Sequence, residues 1–271
     1  MTRGRPQVDV MQFATLNKAI ADTRPDVVVN SAAFTAVDEA EARPEQAYAL
    51  NRDGAGLVAK AAMASRVALI HLSTDYVFDG SKQAPYEEAD KASPRNVYGM
   101  SKLAGEEAVR AGHPEALVLR TAWLHSEHGR NFPLTILGLA RNGDDVSVVD
   151  DQLGCPTFAD DVASGIVALA RDLVQNRRLV DGGLLHMASP DSATRFEWAQ
   201  ETLSLSKSLG GPFASIKAVK TAAFATQAVR PLNSRLSSDK LQKIYGISLP
   251  SWRDGLARCM SRVAQNGWSL A

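Results

Sequence analysis

Short apolar runs alternate with longer amphipathic stretches along most of the chain. Residues 27–33 (VVVNSAA), 67–73 (VALIHLS) and 116–122 (ALVLRTA) are apolar almost throughout, and 146–150 is a fourth such run. Between them, 44–64, 98–110, 132–141 and 160–174 repeat their apolar residues at helical spacing. Strands with no polar face, separated by amphipathic helices, predict parallel β-α-β units with both sheet faces covered. The expected fold class is α/β with a doubly wound, Rossmann-like parallel sheet.

The rhythm changes near residue 175. A turn at 181–183 (DGG), a short strand at 184–188 and a helix over 193–209 lead into short elements broken by Pro212, Pro231 and Pro250. Residues 172–182 contain no long flexible linker. The expectation is a main part over 1–175 and a smaller C-terminal lobe over 176–271, packed as one unit.

Composition narrows the function classes. Thirty basic residues balance thirty acidic ones, so no global field favours nucleic acid or an anionic membrane, and an anionic ligand needs a local cluster of donors. Cys155 and Cys259 are far apart and belong to no CxxC pair, which excludes a disulfide scaffold or thiolate zinc site and suits a reducing cytoplasm. The opening MTRGRPQVDV lacks the apolar core of a signal peptide, and no run approaches the roughly 20 residues of a membrane helix.

The sharpest chemical signal is Tyr98-Gly-Met-Ser-Lys102. Positions four apart share a helix face, so a phenol and an ammonium can converge, and a nearby cation favours the phenolate. A tyrosine and a lysine at this spacing are most often a solvated pair. The run His71-Leu-Ser-Thr-Asp-Tyr-Val-Phe-Asp-Gly80 changes that balance, because an apolar strand ends there in hydroxyls and a carboxylate. Ligands of open parallel sheets bind beyond such strand ends. Thr74 can donate to a carbonyl oxygen as charge develops on it.

The runs RPDVVVNSAAFTAVDEAE, HLSTDYVFDG, NVYGMSKLAGE, LRTAW, VVDDQLGCPT and RPLNSRL resemble, in order and spacing, the dTDP-4-dehydrorhamnose reductase family of extended short-chain dehydrogenases/reductases. The resemblance runs from about residue 9 to about residue 255. It implies Thr74, Tyr98 and Lys102 as catalytic residues. It also implies Thr74, Asp75, Trp123, Arg230 and Asn233, with Ser234, on the substrate side, and guanidinium geometry suggests a phosphate for Arg230. Asp9, Val10, Ala33, Phe34, Thr35, Leu72, Tyr98 and Lys102 match positions along an NADPH or NADH cofactor. The implied reaction is reduction of the C4 keto group of dTDP-4-dehydro-L-rhamnose to dTDP-L-rhamnose, a precursor of surface polysaccharides. The implied partner is a sugar nucleotide, with a homodimer as the assembly left open.

The chain departs from the family pattern at its start. The fold's first strand and glycine-rich turn are expected to be missing by roughly 30 residues, which removes the usual pyrophosphate site and leaves neighbouring strands unpaired. An N-terminus cut short is favoured over a homologue that has lost turnover. Gly54-Ala-Gly56-Leu-Val-Ala59 matches G-x-G-x-x-A on paper but falls inside the 44–64 helical pattern. Some family members hold a metal through carboxylates; Asp160 matches one ligand, another falls in the missing segment, and no metal is expected. His71, His113, His125, His128 and His186 show no ligand spacing, and Trp198, Trp252 and Trp268 read as packing residues. The rival readings are a related sugar-nucleotide epimerase or dehydratase, and a non-catalytic subunit resembling the methionine adenosyltransferase β subunit.

Overall fold

The structure, a computed structural model, describes residues 1–2, 4–143, 146–176 and 183–269. In chain order its elements begin with α1 (Phe13–Thr23), β1 (Val27–Asn30), α2 (Val37–Ala42), α3 (Pro44–Tyr48), a π-helical segment (Ala49–Gly54), α4 (Ala55–Ala64), β2 (Ala68–Thr74), α5 (Val97–Gly112) and β3 (Leu117–Thr121). They continue with β4 (Leu124–His125), α6 (Phe132–Asn142), β5 (Val146–Val149), β6 (Leu153–Gly154), β7 (Thr157–Phe158) and α7 (Ala159–Asn176). The last are β8 (Leu184–His186), β9 (Ala193–Thr194), α8 (Arg195–Ser208), β10 (Ile216–Val219), α9 (Asp239–Tyr245) and α10 (Trp252–Gln265).

The main sheet runs β1-β2-β3-β8, with every pair parallel. Its two-faced burial explains the apolar runs. Leu69 and Val118 pack with Leu16, Val58 and Val109, from α1, α4 and α5, on one face. Ile70, Leu117 and Leu119 pack with Val162, Leu169 and Leu241, from α7 and α9, on the other. This is the doubly wound α/β class expected from the pattern.

The 146–150 run takes a different place from the one its position in the series suggests. β5 pairs with β10 in a separate two-stranded sheet, and β8 supplies the fourth strand of the main one. The physical reason is the α7 crossover, which carries the chain back to β3, while β5 packs with α6, α8 and α10 in a second core around Trp198 and Trp252. The turn expected at 181–183 lies mostly outside the described residues.

Among the described residues no strand pairs with the outer edge of β1, where Val29 is 43% exposed. Gly54 and Gly56 lie within helix, as their pattern suggests. A Cβ on Gly56 would meet the Ala108 side chain at 3.3 Å, so this glycine serves contact between α4 and α5. Two glycines of the YGMSKLAGE run permit closer approaches. A Cβ on Gly99 would lie 2.2 Å from the Tyr76 carbonyl oxygen, and one on Gly105 would lie 2.1 Å from that of Asn51. Helix α5 can therefore press against the turn after β2 at Gly99, and against the π-helical segment at Gly105, only with bare backbone at both positions.

Candidate active site

Strand β2 delivers Thr74 to its C-terminal end, in register with Thr121 of β3. The Thr74 hydroxyl donates to Asp75 Oδ1 at 3.0 Å and accepts from the Tyr76 backbone N–H at 3.2 Å. Asn96 caps α5 by accepting from Gly99 N–H, which starts the helix one turn before Lys102. Tyr98 then stands against Tyr76, ring centres 5.8 Å apart and edge to face. Burial pushes the Tyr98 phenol well above the usual range, and its hydrogen bond with Thr74 works in the opposite sense.

Lys102 is buried, and its ammonium donates to the Leu72 carbonyl at 2.6 Å. Burial lowers its pKa to about 8, against which the negative charge of Glu106 acts. Glu106 is itself held by Arg120 through paired bonds of 2.8 and 2.7 Å and by the Ser73 hydroxyl at 2.5 Å. Lowering of the tyrosine pKa by Lys102, expected from the helical spacing, is not the dominant effect here. Desolvation raises the phenol, with the Thr74 hydrogen bond opposing it, and the ammonium is turned to the strand carbonyl.

Thr74, Tyr98 and Lys102 line a cavity of about 440 Å³ together with Ala33, Thr35, Leu72, Asp75 and Trp123. Asn51 shapes one wall from the π-helical segment. Its Oδ1 accepts from Phe34 N–H at 2.7 Å, and its Nδ2 donates to the Phe34 carbonyl at 3.1 Å and to Ser101 at 2.9 Å. The loop carrying Ala33 and Thr35 is thereby tied to α5. Burial pushes the Asp75 carboxyl up to about 6, opposed by hydrogen bonds from Ser234 and Thr74 and by the charge of Arg195. Asp75 Oδ2 and Thr121 Oγ1 are buried without a hydrogen-bond partner.

Other expected residues stand apart from the lining. Arg230 is clasped by Asp38 through bonds of 3.1 and 2.7 Å, so its guanidinium is already neutralised, and it borders a separate groove with Arg95 and Leu232. Asn233 donates to the carbonyls of Lys82 and Ala84 and accepts from Arg235, which makes it a loop staple. Ser234 is buried beside Asp75. Phe34 contributes backbone bonds to Asn51 between two lining neighbours. Asp9 accepts from Met11 N–H in the turn before α1, and Val10 borders a second cavity, of about 570 Å³, along β1.

Sequence reasoning missed Ser31, Thr121, Arg130, Phe132 and Arg195, and it took Trp198 only as packing; all six line the cleft. Local spacing carries no signal for them, because they arrive from separate elements. Among the described residues no group of three or more His, Cys, Asp or Glu side chains is arranged to hold a metal, and Asp160 is paired with Arg262. His71 is fully buried and kept neutral, its pKa lowered to about 3 by burial and by Lys102.

A parallel doubly wound sheet with Tyr-x-x-x-Lys on one helix and a threonine at the adjoining strand end defines an extended short-chain dehydrogenase/reductase. A family model described as the RmlD substrate binding domain matches residues 1–265. A dTDP-4-dehydrorhamnose reductase of Sinorhizobium fredii is 42% identical over 98% of this chain and 90% of its own length. One from Salmonella typhimurium is 40% identical over 91% of this chain and 84% of its own. The solved structure of dTDP-4-dehydrorhamnose reductase from Bacillus anthracis in complex with NADP superposes with a TM-score of 0.88 at 31% identity, covering 96% of this chain and 89% of that one. The chain belongs to the dTDP-4-dehydrorhamnose reductase family.

Proposed function

We propose that the chain reduces the C4 keto group of dTDP-4-dehydro-L-rhamnose to dTDP-L-rhamnose with NADPH or NADH. The observation that carries this reading is the convergence of Thr74, Tyr98 and Lys102 on one cleft at the C-terminal end of a parallel sheet. The names of the relatives support the substrate, and the Bacillus anthracis structure with NADP supports the cofactor. Asp75 is a single carboxylate beside Thr74, which suits simple reduction better than dehydration with its acidic pair.

The cleft's donor set fits the reactive end of a nicotinamide cofactor. Lys102 commits one N–H to Leu72 and has two more to offer. Ala33 and Leu72 give an apolar wall, and the unpartnered Asp75 Oδ2 and Thr121 Oγ1 suit ligand hydroxyls. In this reading Ala33, Thr35, Leu72, Tyr98 and Lys102 hold the cofactor, which supplies a hydride when bound. Residues 1–175 mainly frame that side, and 176–271 mainly frame the substrate, through Arg195 and Trp198.

When substrate is bound, the Thr74 hydroxyl turns its one proton from Asp75 Oδ1 to the keto oxygen and stabilises the charge that develops there. Tyr98, kept protonated by burial, delivers its proton to the same oxygen, which becomes the product hydroxyl. The charge of Lys102 stabilises the phenolate left behind. Asp75 and Trp123 face the sugar. No helix among the described residues is long and apolar enough to cross a membrane. The reading puts the protein in the cytoplasm, which the buried free cysteines Cys155 and Cys259 suit. Incubation with NADPH and dTDP-4-dehydro-L-rhamnose, with the sugar product identified by NMR, tests the reading. Formation of dTDP-L-rhamnose supports it, and NADPH binding without reduction of that substrate overturns it.

A further inference from the structure

The cleft holds a cation, Arg195, for which no ligand group has yet been assigned. Arg195 opens α8, and its guanidinium carbon lies 3.5 Å from the centre of the Trp123 ring, with Phe132 at 5.1 Å and Trp198 at 5.4 Å. The platform under it is held from several sides. Trp123 adopts φ 44°, a left-handed conformation that is costly for a bulky residue. A Cβ on Gly154 would come within 2.3 Å of the Trp123 ring, so only glycine lets the indole lie there. Trp198 stacks against Trp123 at 5.5 Å and against Phe132 at 4.8 Å.

Stacking fixes the plane of a guanidinium and leaves its edge, with a fork of N–H donors, to face a ligand. Asp75 and Tyr76 are the polar groups acting on Arg195 in the direction of its charge. None of the ion pairs among the described residues includes Arg195. The other arginines nearby are differently placed. Asp38 neutralises Arg230, Glu106 neutralises Arg120, and Arg130 is exposed. A half-buried arginine, stacked against three rings and without a paired carboxylate, is well matched by a bound anion.

We propose that Arg195 is a specificity residue that receives the sugar-proximal phosphate of the substrate's diphosphate and so sets the keto carbon against Thr74 and Tyr98. The inference rests on the sugar-nucleotide reading above. The choice of phosphate follows from position: Asp75 and Tyr76 come directly after Thr74, so an anion at Arg195 lies beside the reacting sugar and not beside the base.

The test compares dTDP with dTMP, which lacks that phosphate, by titration calorimetry on the wild type, Arg195→Gln and Arg195→Lys. Arg195→Gln is expected to weaken dTDP about 10- to 100-fold, the usual effect of losing a charge-assisted pair, and to leave dTMP nearly unchanged. Arg195→Lys keeps most of the preference for dTDP over dTMP, and it stands in should the glutamine variant melt early. Equal weakening of both nucleotides means that Arg195 only props Trp123, and the proposal falls; no weakening of dTDP overturns it too. A wild type that binds NADPH but neither nucleotide overturns the sugar-nucleotide reading, and this inference with it.

Discussion

Lys102 Nζ donates to the carbonyl oxygen of Leu72 at 2.6 Å, which anchors the lysine to the strand that carries Thr74. Its charge is held by that strand and by Glu106 one helical turn on, while burial brings its pKa down to about 8. The reduction rate should therefore fall as pH rises through about 8, where the ammonium is lost. Stability moves the other way. A folded pKa below the usual 10.5 means that the folded state resists protonation of Lys102, so deprotonation adds stability between about 8 and 10.5. A pH–rate profile set beside melting curves checks both signs, and activity that stays flat well above pH 8 would mean that turnover does not need the Lys102 ammonium. Lys102→Met at neutral pH should lower kcat by a factor on the order of 100 or more.

Asp75 is raised from 3.8 to about 6 by burial. The folded state binds that proton more tightly than the unfolded chain, so its stability drops as pH rises from about 4 to 6. Asp75→Asn removes the penalty. It should stabilise the protein above pH 6 by up to about 3 kcal/mol and change nothing below pH 4, while weakening turnover. Chemical denaturation at two pH values reads this directly; equal effects at both would sink it.

Asn51→Ala deletes the bonds that tie the Ala33–Thr35 loop to α5. A loss of about 1–3 kcal/mol is expected, because the Phe34 backbone groups lose their partner. The KM for NADPH should rise more than kcat falls if the loop holds the cofactor as proposed. A change in stability with no change in KM would separate the loop from cofactor binding.

Gly99→Ala places a methyl group 2.2 Å from the Tyr76 carbonyl oxygen. Helix α5 must then move off the end of β2 and take Tyr98 with it. The cost is about 1–3 kcal/mol from overpacking, with a lower melting temperature and impaired kcat. A variant with wild-type melting and rate would show that α5 does not need this approach.

The sheet and the meeting of Thr74, Tyr98 and Lys102 at one cleft were legible because both are local. β2 and β3 are apolar on two faces, and Tyr98 and Lys102 share one helix four residues apart. The placement of residues 146–149 was not, since pairing with 216–219 is a long-range choice that a strand's own pattern does not encode. The pairing of Arg230 with Asp38, 192 residues away in the chain, gave no local signal either. Arg195 gave no signal of its own, because its role depends on Trp123, Phe132 and Trp198 arriving from other elements.

Every other assignment depends on Tyr98 donating the proton to the keto oxygen in a cleft shared with Thr74 and Lys102. The most direct test is kcat for NADPH-dependent reduction of dTDP-4-dehydro-L-rhamnose by Tyr98→Phe, with folding and NADPH binding checked in parallel. A drop of about 100- to 10,000-fold is expected, with both controls unchanged. A Tyr98→Phe protein that folds, binds NADPH and turns over at the wild-type rate would contradict it.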